Sequence, residues 1–394
     1  MAGRSLKASK DGIEKAKKAL SRNSLNQKAL AQELGLARST VTNFFRCIPI
    51  DRLNFEEICQ RLGLEWQEII DPSVFSAPPL DPYTQSWRCV HTLTQHRSTV
   101  ISVAISPNGE TLASGSGVND QTIKIWNVNT GKLLRSLPGH SSGIMLVAFC
   151  PDGTTLVSVS SDKTIKIWNI CTGRLLSTFS HTEDSSWFWS VATSPDGKTL
   201  ASGNSGGKIK LWNLHTGEVS CPIINEERYS EDFVLEETIF SVAISPDNQF
   251  ISGGTCDGKI KGWYLDDGEL FCIINNAHPG AVNTLAFSPD GNLVASSDDE
   301  EGLIKVWRLI TDELLYTLTG HSSSVNAVAF SPDGQTIASA GSDKTIKLWN
   351  LNTGELNQTL DDHTGSVLSV TFSPDSQALV SGSVDNTIKI WRCD

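Results

Sequence analysis

Seven segments of this chain end in the same way: IKIW at Trp126 and Trp168, IKLW at Trp212, IKGW at Trp263, IKVW at Trp307, IKLW at Trp349 and IKIW at Trp391. Successive tryptophans lie 42, 44, 51, 44, 42 and 42 residues apart. A unit of that length, built of several short strands and no helix, cannot bury its apolar face alone, so copies have to stack radially. Seven copies predict seven blades around a central axis. Closed rings of this kind mostly present surfaces to partners, so the repeat that fixes the fold also turns the functional expectation away from catalysis.

One copy runs from Gly320 to Trp349, GHSSSVNAVAFSPDGQTIASAGSDKTIKLW. Alternating apolar positions in VNAVAF and TIASA give half-buried strands, SPDG supplies a hairpin turn, and SDKT makes the next one. NLNTGELNQTL adds a turn and an outermost strand. Each copy therefore holds four strands, a to d from axis to rim. The order GH, then SPDG, then D-x-T-I-K-[IL]-W resembles the WD-repeat family, whose best-known member is the G-protein β subunit. The resemblance covers residues 88–394 and implies a seven-bladed β-propeller that binds proteins.

The last repeat stops at Trp391-Arg392-Cys393-Asp394, too soon for a fourth strand. Residues 88–94, running into Gln95-His96, have the same apolar spacing as Leu134 to Leu137 running into Gly139-His140. That strand is expected to close the last blade and remove the sheet edges that would template aggregation.

The resemblance further implies a buried polar set in each blade: a His in the loop leading into strand a, a Ser on strand b, an Asp in the next turn and the Trp of strand c. Blade 1 offers His96, Ser114, Asp120 and Trp126, and blade 2 offers His140, Ser158, Asp162 and Trp168. Blade 6 offers His321, Ser339, Asp343 and Trp349, and blade 7 His363, Ser381, Asp385 and Trp391. Ser, His and Asp together look like a hydrolase triad, but four copies cannot all be active sites, and a buried indole N–H needs an acceptor. Blades 3 to 5 depart from the pattern: Gly206 stands where Asp belongs, blade 4 lacks a lead-in histidine, and blade 5 has Glu301 for Asp plus an inserted residue.

Other motifs are decoys. Gly139 to Gly143 (GHSSG) and Gly203 to Gly207 (GNSGG) fit G-x-S-x-G, yet each serine lies between strands, where the nucleophile elbow needs a strand-to-helix turn. Gly197-Lys198-Thr199 mimics the end of a P-loop without its first glycine or its helix. Asp298-Asp299-Glu300-Glu301-Gly302 lacks EF-hand spacing and reads as a solvated loop. No cofactor, metal or catalytic residue is expected.

What the repeat does not need is the residue where strand a begins: Ile101, Met145, Trp189, Phe240, Asn283, Asn326 and Leu368 around the ring. With Trp187 and Phe188, the bulky apolar members form the expected partner-binding set, the alternative being that the blade 3 aromatics plug a gap left by the missing Asp. Blade 4 is led in by a longer segment in which six acids surround Arg228, Tyr229 and Phe233, an acidic lip suited to steering a basic partner.

The first 70 residues are different in kind. Residues 1–50 carry ten Lys or Arg against Asp11, Glu14 and Glu33, a balance of +7 in a chain whose net charge is −12. Within QKALAQELGLARSTVTNFFR, the residues Gln27, Ala31, Gly35, Ser39, Val41 and Phe44 resemble the helix-turn-helix of phage-repressor type. The expectation is a small all-α domain over 1–70 with further helices at Phe55–Leu62 and Glu65–Ile70. If it reads DNA, Arg38, Ser39, Thr40, Asn43 and Arg46 would face the groove, with Lys15, Lys17, Lys18 and Arg22 on phosphates. Cys47-Ile48-Pro49 departs from that family's usual end, and similar heads look like adaptor modules in bacterial signalling proteins. Pro72, Pro78, Pro79 and Pro82 mark residues 71–87 as a linker. Nine cysteines without a CxxC pair, no signal-peptide core and no long apolar run point to a cytoplasmic chain without membrane insertion. The combined expectation is a non-enzymatic scaffold or adaptor of bacterial cytosolic signalling. A DNA-binding regulator whose propeller senses a protein signal is the alternative.

Overall fold

Each repeat folds as a four-stranded antiparallel sheet, because the apolar alternation of strands a to c buries both faces while strand d keeps one face in water. In blade 1 these are Val100–Ile105, Thr111–Ser116, Ile123–Asn127 and Leu133–Leu137. The computed structural model describes residues 10–23, 25–34, 38–45, 52–64, 86–180, 188–223, 238–309 and 311–393, with Ala8, Leu36 and Ile69. The chain divides into two units, Met1–Gln85 and Ser86–Asp394.

The second unit holds seven such sheets, six of them in simple sequence order. Strand b is the most buried element, with Leu112, Ala113 and Ser114 all at 0% exposure. Successive blades are stitched at strand a by serine side chains. Ser102 Oγ accepts the Val147 amide at 3.1 Å, Ser241 Oγ accepts that of Leu285 at 2.9 Å, and Ser369 Oγ accepts that of Val103 at 3.1 Å, across the seam of the ring. The a–b turns place a left-handed residue where the chain reverses: Gly153 at φ 68°, and in blades 4 and 7 Asn248 and Ser376 at 59° and 60°.

Blade 7 is composite. Its sheet pairs Trp87–Leu93 with Ile388–Cys393, followed inward by Ala378–Ser383 and Val367–Phe372. The closing strand begins one residue earlier than its sequence pattern indicates. Its register sets Cys89 opposite Trp391 and Leu93 opposite Ile388, with a bulge at Val90. Leu93 is buried, and the Trp87 ring meets Phe372 edge-on at 5.9 Å. Both neighbouring blades grip this strand. The Gln358 side-chain amide takes the Trp87 N–H at 3.0 Å and donates to its carbonyl at 2.9 Å, acting as a one-residue strand. On the other side, His91 Nε2 donates to the Asn129 carbonyl at 3.1 Å.

In the first unit the described residues form four helices: α1 Lys10–Arg22, α2 Gln27–Leu34, α3 Arg38–Phe45 and α4 Arg52–Arg61. Asn26 caps α2 by accepting the Ala29 amide at 2.9 Å. Leu30, Val41, Phe44, Phe55, Ile58 and Ile69 are all fully buried together, and Gly12 lets α1 run so close to the Ile69 backbone that a Cβ there would stand 2.2 Å from its carbonyl oxygen. The α1 helix was not expected from sequence. Of the expected Glu65–Ile70 helix only Ile69 is described, and the proline-rich stretch 71–85 lies outside the described residues.

Candidate partner-binding face

The four expected polar sets come together in near-identical geometry. His Nδ1 lies 2.6 Å from the carboxylate in His96–Asp120, 2.8 Å in His140–Asp162, and 2.9 Å in both His321–Asp343 and His363–Asp385. His Nε2 lies 2.7 to 2.8 Å from Ser Oγ, and the indole N–H of Trp126, Trp168, Trp349 and Trp391 donates to the same oxygen at 2.8 to 3.0 Å. An ionised carboxylate only accepts, so Nδ1 carries the proton, Nε2 accepts from the serine hydroxyl, and the serine accepts from tryptophan. The serine is thereby locked as a relay inside a buried chain, not exposed as a nucleophile.

Each carboxylate does one thing more. It accepts the amide of the residue after the histidine, Arg97, Ser141, Ser322 or Thr364, at 2.9 to 3.1 Å. The lead-in loop and the b–c turn are thus tied together at one end of the ring. Burial lowers the pKa of all four histidines despite the adjacent carboxylates. Burial alone would raise Asp120, but hydrogen bonds from His96, Thr122 and the Arg97 amide outweigh it and hold the group at about 2.

Blades 3 to 5 solve the same problem differently. In blade 3, Trp212 donates to Ser202 Oγ at 2.8 Å, and Asn204 Oδ1 takes the Gly206 and Lys208 amides in place of the missing aspartate. In blade 4, Asp257 is held by Thr255 and by Lys259 at 2.7 Å. Blade 5 corrects the sequence expectation. Glu301 is exposed, and the acid facing the histidine is Asp298, the last residue of strand Val294–Asp298. His278 Nε2 lies 2.7 Å from Ser296 Oγ as elsewhere. Its Nδ1 stands 3.6 Å from Asp298 Oδ2, too far for a hydrogen bond, and neither atom has another partner. The cause is in the next residue: Pro279 has no amide hydrogen to draw a carboxylate onto the loop. Burial, with Lys305 nearby, pushes His278 down to about 3.

A differential stability test follows. His321→Ala removes a made hydrogen bond from a charged, nearly buried carboxylate and is expected to cost about 2 to 3 kcal/mol, whereas His278→Ala removes a donor already unused and is expected to cost about 1 kcal/mol. Denaturation midpoints of the two variants measure this, and equal losses would contradict the assignment of an unmade bond in blade 5.

At the same end of the ring, every a–b strand pair carries a β-bulge, and the extra residue is Ile101, Met145, Trp189, Phe240, Asn283, Asn326 or Leu368 in turn. A bulge re-aims its side chain, which is why each of these seven residues is half-buried directly after a fully buried one. Two of them are committed to the ring itself. Asn283 donates to the Val325 carbonyl at 3.3 Å, and Asn326 to that of Val367 at 2.9 Å, each reaching the next blade. The other five form a contiguous apolar arc from Leu368 of blade 7 through Ile101, Met145 and Trp189 to Phe240 of blade 4. Trp189 and Phe240 meet edge-on at 5.2 Å.

Phe188 does not belong to that arc. It is 1% exposed and packs on Trp212, so its side chain is part of the blade 3 core. Trp187, the preceding histidine of blade 3 and the acidic segment 224–237 lie outside the described residues, as do Arg46 and the side chains of Arg38, Ser39 and Asn43; Thr40 is half-buried. Among the described residues no His, Cys, Asp and Glu group is arranged to hold a metal, and no helix is long and apolar enough to cross a membrane.

Comparison with known proteins agrees with this architecture. The family profile described as "WD domain, G-beta repeat" matches residues 87–127, 131–169, 173–213, 233–264, 270–308, 312–350 and 354–392. The chain is 28% identical over 204 residues to WD repeat-containing protein 82 of Drosophila melanogaster, covering 51% of this chain and 62% of that one. It is 45% identical over 74 residues to the nuclear distribution protein PAC1 of Tuber melanosporum, 18% of this chain and 16% of that one. It is 41% identical over 69 residues to an uncharacterized WD repeat-containing protein of Synechocystis sp., covering 18% and 20%. The matches span less than two thirds of each of these relatives. Seven matched repeats, seven sheets and a first strand that completes the last blade make this chain a member of the WD-repeat, G-β repeat family.

Proposed function

We propose that the chain is a non-enzymatic scaffold or adaptor that takes a protein partner on the end of the propeller carrying the apolar arc. The observation behind this is the contrast within one set of bulge residues. Two are asparagines spent on interblade bonds, while five neighbouring ones put Leu, Ile, Met, Trp and Phe on one surface, held by tetrads in blades 7, 1 and 2. Apolar side chains of this size on a rigid rim match the anchors that dominate binding energy at protein interfaces. The fold is typically a scaffold, and each triad-like set here has a structural use. A cytoplasmic site of action fits the free thiols of Cys59, Cys89, Cys150, Cys171, Cys256, Cys272 and Cys393.

The test is co-purification from native extract. Ile101→Glu with Met145→Glu is expected to reduce recovery of the partner at least tenfold, about 1.4 kcal/mol or more, with little change in melting temperature. Leu134→Glu, on an exposed rim leucine, serves as control. Undiminished recovery would defeat the proposal, and recovery lost to nuclease instead would transfer the function to DNA reading by the helical unit.

A further inference from the structure

The two ends of the apolar arc are not chemically neutral. Beyond Phe240 lies the blade 5 turn, where Asp299, Glu300 and Glu301 are all exposed. At the other end, the loop leading to Leu368 exposes Asp361 and Asp362. Among the described residues these five carboxylates have no ion-pair partner. The blade 5 turn is also fixed in place: the Asp299 carbonyl accepts the Ser324 hydroxyl at 2.6 Å, and Gly302, at φ 68°, fits against blade 6 where a Cβ would stand 2.6 Å from the Ser323 carbonyl oxygen. The opposing cations, Arg97, Lys163, Lys208, Lys259 and Lys344, occur singly, one to a blade, and Lys259 is paired with Asp257 at 2.7 Å. The tetrad carboxylates add nothing to the negative charge, because Lys124 stands 3.7 Å from Asp120 and Lys166, Lys347 and Lys389 act on the other three sites in the same way.

We infer that the partner reaches this face with a cationic, apolar-anchored segment, whose large apolar side chains lie on the Leu368-to-Phe240 arc and whose lysines or arginines meet the carboxylates at its two ends. This rests on the partner-face reading above and adds the partner's chemistry. Clustered charge beside a low-dielectric apolar surface steers an oppositely charged segment and rejects a like-charged one. An acidic segment would bring its carboxylates against two groups of fixed negative charge.

Two synthetic amphipathic peptides with identical leucine and phenylalanine positions, one carrying lysines and the other glutamates, test this on the full chain by fluorescence anisotropy. The lysine peptide is expected to bind at least about thirtyfold more tightly at low salt, with the ratio falling as salt rises. Glu300→Gln, Asp361→Asn and Asp362→Asn together are expected to reduce that ratio about tenfold, mainly through slower association. Met145→Ala with Phe240→Ala is expected to weaken the lysine peptide at least tenfold. Equal affinity for the two peptides, a ratio unmoved by the neutralising variants, or lysine-peptide binding indifferent to the arc variants would each overturn the inference. If the arc variants lose the natural partner while the peptides are bound alike, the partner face stands and only its cationic chemistry falls.

Discussion

Removal of residues 1–95 is expected to produce a chain that aggregates, while removal of residues 1–84 leaves a soluble ring. The longer deletion takes away the outer strand of blade 7. It exposes the edge of Ile388–Cys393, uncovers Phe372 where Trp87 packs, and deletes buried Leu93. It also leaves the Gln358 side chain without the backbone it clasps. Burial of Leu93 and part of Trp87 contributes on the order of 3 kcal/mol, and the ladder adds several hydrogen bonds at about 1 kcal/mol each. Losses of that size are comparable with the whole stability of a domain, and the bared strand Ile388–Cys393, whose Ile388, Ile390 and Trp391 are buried in the closed ring, is a template for association. Size-exclusion chromatography with light scattering measures the outcome. Equal solubility of the two truncations would show that the ring does not depend on this strand.

Acid should open the propeller well before its carboxylates titrate. His96, His140, His321 and His363 have folded-state pKa values below the ordinary 6.5, and His278 is at about 3. Below pH 6.5 the unfolded chain therefore binds protons that the folded chain refuses, so stability falls as pH falls through that value. Each histidine contributes a slope of up to about 1.4 kcal/mol per pH unit between its folded and unfolded values, an interval widest for His278. The tetrad aspartates, whose pKa values are lowered, add a second loss only below about pH 4. Melting temperature is thus expected to drop between pH 6.5 and 5, with net proton uptake on unfolding. A melting temperature constant from pH 7 to 5 would mean that the imidazoles are not held neutral.

The ring was legible because its signals are periodic. Seven tryptophans at near-equal spacing fix the blade number, and the missing strand after Trp391 has a matching pattern at Arg88. The tetrads were readable in the four blades where a lead-in His accompanies an Asp six residues before Trp. That rule failed in blade 5, since Pro279 removes an amide and the acid moves to Asp298, a consequence visible only once the loop and strand b are side by side. The seven bulge positions could be aligned by sequence, but their half-exposure could not be foreseen, because a bulge is a property of two paired strands. Phe188 and Trp189 are adjacent and chemically alike, and only the bulge between them decides that the first packs inward. The α1 helix escaped notice because much of its buried face is alanine, at Ala16 and Ala19, which carries little periodic apolar signal.

The Gln358-clasped strand also sets a timetable. Trp87–Leu93 is synthesised some 300 residues before Ile388–Cys393, the strand it pairs with. Bringing together ends separated by 300 residues costs only about 2 kcal/mol more entropy than closing a single 40-residue blade, but it is a non-local step, and such steps are slow. Blades 1 to 6 can stack in order as they leave the ribosome; blade 7 has to wait. Through that interval the early strand is an unpaired apolar ribbon and the growing ring an open arc, the species in which a chaperone, a neighbouring nascent copy or a protease finds this protein most vulnerable.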